Sequence, residues 1–524
     1  MMWGMNFLRM RWATVVMLVW HCASAPAQTA HTIEILAARE IRKHPDMPGI
    51  QRLLGDVQLA WQDAVLRCDS AWRFDEGPFE VMGEVHLVDG RGGELLAQRM
   101  RLDPNASVVD AFGLPVRWLD GQQELSGASF RYGMEERILV WSEVAEMQQI
   151  DSLTGALRQL QSQRGRLFVD ADWLQLGGEV LLQDADQTLR SDSLHLHHLE
   201  TDPVLTICGA TSVWSTDAKR TFHADRGVLD LAAGRGWLGA TGEDLAWFQE
   251  GDLLTAGDSL ALTDSTHQTV AGRVFVTDTI ASFALWGDRL ETAHDTLWLT
   301  GDAHLTEGTS DEPWLIAADT ILRFSPDAGD EMRAWPAASM RQGTSSGACD
   351  TLVWTEADSL LAFVGTPVLW TDGSRLASDS LTVQLHASGI DSLIARGHVC
   401  MTSALSGGLD SLHHTISGRS LDGFFTADGD LDRIFVAGNS EVIQFDDEGV
   451  NLNHLVSSKL RIRFASGEVT DILMLGQPNG VYVSATAADQ TTLPACPHFP
   501  QPDPISFPLR PQLQSRHQHP QISP

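Results

Sequence analysis

The stretch Ala256-Gly257-Asp258-Ser259-Leu260-Ala261-Leu262 is followed by Gly272-Arg273-Val274-Phe275-Val276, then Gly287-Asp288-Arg289-Leu290, then Gly301-Asp302-Ala303-His304-Leu305. Two phrases alternate in it. One is a glycine leading within four residues to a β-branched or aliphatic residue. The other is a small residue, Asp, a hydroxyl or Arg, and then an apolar alternation. Outward from here the glycine phrase returns at Gly55, Gly83, Gly113, Gly178, Gly209, Gly242, Gly365, Gly397 and Gly438. Most spacings are about 30 residues, a period that signals repetitive units rather than one globular core. The gaps after Gly113 and Gly301 are about twice that and read as degenerate repeats. The aspartate phrase returns as Cys68-Asp69-Ser70, Ser191-Asp192-Ser193, Ala318-Asp319-Thr320, Cys349-Asp350-Thr351 and Ser378-Asp379-Ser380. Two phrases per period predict two turns and two strands per repeat.

Between the phrases the pattern has period two, as in Val57-Gln58-Leu59, Val85-His86-Leu87 and Leu381-Thr382-Val383. Such alternation, broken by Asp, Gly and Ser, predicts short half-buried strands joined by tight turns. Ile150, Leu153, Leu157 and Leu160 recur at helical spacing, but Gly155 weakens a helix by about 1 kcal/mol and the repeat register calls for strand. Residues 326–347 cluster Pro, Gly and Ser and read as an irregular joint, which places repeats at 28–330 and again at 331–485. From 486 onward the chain turns to Pro, Gln and His, the composition of a disordered tail.

The chain has 524 residues, 43% of them hydrophobic, enough for a large ordered core. Arg9 and Arg11 precede an apolar run and then Ala23-Ser24-Ala25-Pro26-Ala27, the layout of a signal peptide over 1–27 and of export to the periplasm. Bulky Val19-Trp20-His21 before Cys22 argue against lipidation at that cysteine. No later segment offers the roughly 20 apolar residues of a spanning helix. Cleavage would leave Cys68, Cys208, Cys349, Cys400 and Cys496, with no C-x-x-C pair to indicate zinc or a dense disulfide framework. Cys68 and Cys349 stand where other repeats carry Ser or Ala, so each is expected to be a small buried residue. A net charge of -33 repels nucleic acid and anionic headgroups.

Isolated chemical motifs lose their meaning in this pattern. Gly234-Arg235-Gly236-Trp237-Leu238-Gly239 fits a dinucleotide fingerprint, but no helix opens at its third glycine. Gly343-Thr344-Ser345-Ser346-Gly347 fits a nucleophile elbow but reads as a flexible loop. His195 and His197 share one face of an alternating strand, the solvent side, with no third ligand at a matched spacing. The Asp-Ser and Asp-Thr pairs recur in equivalent places, where an enzyme needs one constellation; Asp and Ser favour turns by bonding nearby backbone. A non-enzyme without cofactor or metal is expected.

The export signal, the Gly-x-Val-x-Leu strands and the Asp-Ser-Leu or Asp-Arg-Leu strand starts together resemble the OstA/LptA family of lipopolysaccharide-transport proteins, in particular its long OstA-like members. Leu299-Thr300-Gly301-Asp302-Ala303-His304-Leu305, Ala256–Leu262 and Ser126-Gly127-Ala128-Ser129-Phe130-Arg131-Tyr132 carry the resemblance most closely, within roughly residues 30 to 480. It implies an all-β fold: an elongated, repetitive antiparallel β-jellyroll with an apolar groove that holds the acyl chains of lipopolysaccharide. It also implies partners among the lipopolysaccharide-transport proteins of the inner and outer membranes, and end-to-end self-association. The chain is several times longer than the short bridge protein of that family and lacks the barrel of its outer-membrane member. The expected groove lining is Val57, Leu59, Val85, Leu87, Val180, Leu182, Leu260, Leu262, Val274, Val276, Leu381 and Val383. Alternation alone leaves open whether this face is a lipid groove or the dry core of a secreted β-solenoid scaffold. A β-helix enzyme would need an off-pattern carboxylate cluster, and an outer-membrane barrel is disfavoured by only two Tyr residues for its girdles.

Overall fold

The computed structural model describes residues 32–484, apart from short internal stretches of which 151–156, 198–203 and 405–412 are the longest. The expected signal peptide, Cys22, Cys496 and the tail from 486 lie outside the described residues. The fold is all-β, antiparallel and jellyroll-like, with 40 strands and, as its one regular helical turn among the described residues, Val169–Ala171. The chain divides into two compact units. One runs to Asp120 and takes in Ser129–Glu136; the other comprises Gly121–Ala128 and the chain from Arg137 onward.

The two sequence phrases do not form the turns between strands. They sit at bends inside long strands, as at Asp69, Gly83, Gly272 and Asp288, or in the short breaks between two strands, as at Asp258, Asp350, Gly365 and Asp379. In His267–Asp278, the pair Gly272-Arg273 faces the single Asp288 of the strand Phe283–Ala293, so the register shifts there. Two residues against one is a β-bulge, which bends and twists its strand. Both bulge residues have positive φ, 69° at Gly272 and 39° at Arg273. On the other side, a Cβ at Gly272 would lie 2.2 Å from Oδ2 of Asp258, while the Asp258 amide donates to the Gly272 carbonyl at 3.1 Å. The glycine phrase and the aspartate phrase are therefore two halves of one corner. The same pairing joins Gly83 to Asp69, Gly301 to Asp288, Gly365 to Asp350 and Gly397 to Asp379. Two strands per period is correct. The expectation that these residues make the turns is not, because the turns fall between phrases, as at Gln62-Asp63.

Each corner divides a strand into two arms, and the arms build two walls. The first wall contains residues between a glycine corner and the next aspartate corner; the second contains the rest. In the smaller unit the inward row of the first wall runs Leu59, Leu66, Leu87, Leu95, Trp118, and that of the second runs Leu53, Ala71, Val81, Met100, Ala111, each residue paired with the next. All ten are buried. In the larger unit a second-wall row passes through Leu238, Leu260, Val270, Leu290, Leu299 and Ile321 to Leu352, Phe363 and Leu381, again buried throughout. Each fully buried Leu of this kind contributes about 1.5–3 kcal/mol.

Near the corners of the larger unit the first wall carries small residues because the second wall presses on it. A Cβ at Gly257 would stand 2.4 Å from Val270 Cγ1, one at Gly287 2.8 Å from Leu299 Cδ1, and one at Gly418 2.6 Å from Val436 Cγ1. The walls thus converge at the corner and separate away from it.

Within 326–347, expected to be irregular, the described residues form the strands Glu331–Trp335 and Ala338–Gln342 and the first part of Ser345–Cys349. Short arms punctuated by Pro336 and Gly343 hide their alternation in the sequence. The helical spacing around Ile150 resolves as the strands Ala145–Ile150 and Leu157–Ser162.

Candidate functional site

The inward faces of the walls hold the residues expected to line a groove. Val57, Leu59, Val85 and Leu87 belong to the smaller unit, and Val180, Leu182, Leu260, Val274, Val276, Leu381 and Val383 to the larger; all are buried. Leu262, expected in the same lining, is more accessible than the others. It is half-buried, because its cross-strand neighbours are Gly236, which has no side chain, and Gln268. Over most of the larger unit the inward face is therefore closed to solvent.

It opens toward the C-terminal end. The first-wall row continues from Ile316 and Met340 through Gly347 to Leu369, Leu376, Met401, Ile416, Val442 and Leu455. Leu369, Met401, Ile416 and Leu455 are half-buried, with buried Leu376 and Val442 between them, whereas upstream Ile316 and Met340 are both buried. The facing second-wall residues Leu393, Leu421, Val436 and Ile462 stay buried. The result is an aliphatic cleft partly open to solvent along one wall. Sequence reasoning stopped short of these residues, although the rule that selects Leu59, Leu87, Leu182 and Val276, the fourth position after the glycine, also selects Leu369, Met401 and Val442.

Upstream of the opening, a charged contact ties the two walls together. Arg323, on the second wall, stands 3.6 Å from Glu307 at the far end of the first wall and 2.5 Å from Asp330. Its guanidinium also lies over the Phe283 ring, 5.0 Å from the centroid. Burial pushes the Glu307 carboxyl above its ordinary value; Arg323 opposes this, and Asp330 and Glu356 add to it. An acid whose folded-state value is raised favours folding below its unfolded value, and that contribution is lost as pH rises through the folded value. Glu307→Gln is accordingly expected to flatten the fall in stability above the ordinary glutamate range, with Asp330 retaining Arg323. Urea midpoints measured from pH 4 to pH 8 for both proteins check this, and parallel curves would contradict it.

The remaining candidates have structural explanations. His195 and His197 point outward and pack on Trp173, with centroids 5.6 and 5.4 Å away. Burial, followed by the neighbouring His197, lowers the pKa of His195. Among the described residues no group of three His, Cys, Asp or Glu is placed to hold a metal. Arg235–Gly239 is a strand, not the start of a helix. Gly343-Thr344 is the tight turn joining Ala338–Gln342 to Ser345–Cys349, rather than a flexible loop. Cys68 and Cys349 are buried and free, and burial raises their thiols to about 11 and about 12, the behaviour of inert small residues. Cys400 is disulfide-bonded, which the spacing of the cysteines did not foretell.

No family model matches the chain, and no curated protein matches it. Among solved structures it is similar to a crystal structure of LptH from Pseudomonas aeruginosa, described as the LptA homologous periplasmic component of the conserved lipopolysaccharide transport device. The identity is 14%, the match covers 27% of this chain and 95% of that one, and the TM-score is 0.22.

Proposed function

We propose that the protein is an exported carrier that takes the acyl chains of lipopolysaccharide into the cleft between its two walls and carries or bridges the lipid toward the outer membrane. The observation that carries this reading is the inward row that beyond Gly347 is half-buried at Leu369, Met401, Ile416 and Leu455, with buried Leu376 and Val442 between them. An acyl chain laid on such a surface contributes about 0.8 kcal/mol per buried methylene, without any recognition of a headgroup. That suits a chain of net charge -33, which leaves an anionic headgroup in solvent or bridged by cations. A disulfide at Cys400 fits an oxidising compartment such as the periplasm. The polarity of the walls, apolar inward with outward ion pairs such as Arg99–Glu80 and Arg131–Asp110, is the reverse of a water-filled membrane barrel. Repetition of the corners argues for a surface function rather than a catalytic centre. Partners on this reading are the lipopolysaccharide-transport proteins of the two membranes, with end-to-end self-association.

The purified chain, incubated with lipopolysaccharide and separated by size exclusion, is expected to retain lipid. Met401→Asp and Ile416→Asp should each reduce retention by about tenfold, since a charge on an apolar lining costs at least ~1.4 kcal/mol of binding. The closed inward face upstream favours a second reading, a secreted β-solenoid scaffold with a dry core. It predicts no retention by the wild-type chain.

A further inference from the structure

Toward its C-terminal end the second wall of the larger unit is built from arms of Gly389–Ala404, His413–Phe425, Leu431–Phe445 and Asn451–Ala465, and from the shorter strand Glu468–Leu475. The outward side of such a wall is normally polar. Here the middle outward row runs Ile394, Asp422, Phe435, Arg461, Leu473, each paired with the next. Beside it, Lys459 pairs with Leu475 on one flank and Arg433 with Arg463 on the other. Ile394, Phe435, Leu473 and Leu475 are 38–48% exposed, so apolar side chains stand in solvent on this face. Phe424 joins them, edge-on to Phe435 with centroids 6.0 Å apart, and the Arg433 guanidinium lies over its ring at 4.9 Å.

The charge of this face reverses that of the chain. Arg396 is paired with Asp422, Arg433 with Asp432 at 2.6 Å, and Arg461 with Asp471 at 3.5 Å. Lys459 and Arg463 are exposed and enter no ion pair among the described residues. Five cations against three carboxylates leave a local charge of +2 on a chain whose net charge is -33. At physiological ionic strength charges more than about 8 Å away are largely screened. A surface that touches these strands therefore meets the local cations rather than the acidity of the whole.

We propose that this outward face docks on a phospholipid bilayer that carries anionic headgroups. Lys459 and Arg463 reach the headgroups on long apolar stems. Phe435, Ile394, Leu473 and Leu475 enter the boundary between headgroup and acyl chain, the arrangement by which basic amphipathic surfaces lie on membranes. A second copy of this chain fits the face less well, because two chains of net charge -33 repel each other. Placement agrees with the bilayer as occupant. The strands that present the face also carry Met401, Ile416 and Leu455 on their first-wall arms, so bilayer contact and the open stretch of the cleft share the same strands.

The test is co-sedimentation of the full chain with vesicles of phosphatidylcholine alone or of phosphatidylcholine and phosphatidylglycerol in equal parts. Wild-type protein is expected to sediment with the mixed vesicles, to bind the neutral ones far more weakly, and to be released by high salt. Lys459→Gln and Arg463→Gln should each weaken binding to mixed vesicles about fivefold, the contribution of one basic residue at an anionic surface. Phe435→Ser should weaken it as well. Arg289→Gln, at an exposed cation elsewhere on the same wall, should leave it unchanged. No binding of wild type to mixed vesicles, or an equal loss in the Arg289→Gln, Lys459→Gln and Arg463→Gln proteins, overturns the proposal. Self-association without vesicle binding overturns it in favour of a second copy. The salt and headgroup dependence of the wild type decides the matter even if a variant fails to fold. The vesicles contain no lipopolysaccharide, so failure here leaves the carrier reading standing, and lost lipopolysaccharide retention with vesicle binding intact fails that reading alone.

Discussion

Gly272→Val is expected to destabilise the protein by at least about 3 kcal/mol, seen as a lowered urea midpoint. Two costs add. A β-branched residue at φ 69° is a strained conformer worth about 1–3 kcal/mol. Its Cβ would also stand 2.2 Å from Oδ2 of Asp258, whose own amide is bonded to the Gly272 carbonyl and whose carboxylate accepts from Arg273 at 2.7 Å. The carboxylate can move away only by giving up its hydrogen bond from Arg273. Gly242 provides the control: its φ is 73°, but nothing lies within 4 Å of the added Cβ. Gly242→Ala should cost only about 1–2 kcal/mol, the left-handed penalty alone. Equal losses at the two sites would mean that the Gly–Asp corner is not what holds the strands in register.

Phe363→Ala is expected to cost about 3–5 kcal/mol, the range for emptying a large buried aromatic site. Phe363 projects from the second wall, is 1% exposed, pairs with Leu352 and Leu381, and stands 3.0 Å from where a Cβ of Gly347 on the first wall would be. At this point the ring meets the bare backbone of Gly347 beside the Leu369 and Met340 side chains, which lie 2.8 and 3.2 Å from the same Cβ position and can relax into the void only in part. Leu369, two strands from Phe363 through Gly347, is half-buried, and Leu369→Ala should cost about 1 kcal/mol because water already reaches part of it. Thermal or urea unfolding of the two variants measures how abruptly the inward face passes from closed core to open cleft. Similar costs would place the opening elsewhere.

The architecture was legible wherever chemistry repeats at a fixed interval. Val57-Gln58-Leu59 and Val274-Phe275-Val276 disclosed strands, and the recurrence of Asp258, Asp288, Asp350 and Asp379 disclosed equivalent positions. What those positions do was not legible. Asp and Gly are turn residues by habit, and only the register, with Gly272-Arg273 against Asp288, reveals a bend inside a strand rather than a reversal between strands. The inward residues were identified because alternation follows burial. Which of them meet solvent was not, since the exposure of Met401 and Ile416 depends on the distance between walls, a property of packing across strands far apart in sequence. The buried outward face at Phe275 and Trp286 broke the same rule. A wall apolar on both sides reads in sequence like any strand with a few extra hydrophobic residues.

The central claim is that lipid lies on the inward face where the first wall opens. A photoreactive amino acid placed in turn at Met401 and Ile416, at their outward neighbours Thr402 and Ser417, and at the closed inward position Leu285 tests it most directly, with irradiation in cells making lipopolysaccharide. The account predicts lipopolysaccharide adducts at Met401 and Ile416 and none at Thr402, Ser417 or Leu285. Equal labelling of inward and outward positions, or none at any of them, would contradict it.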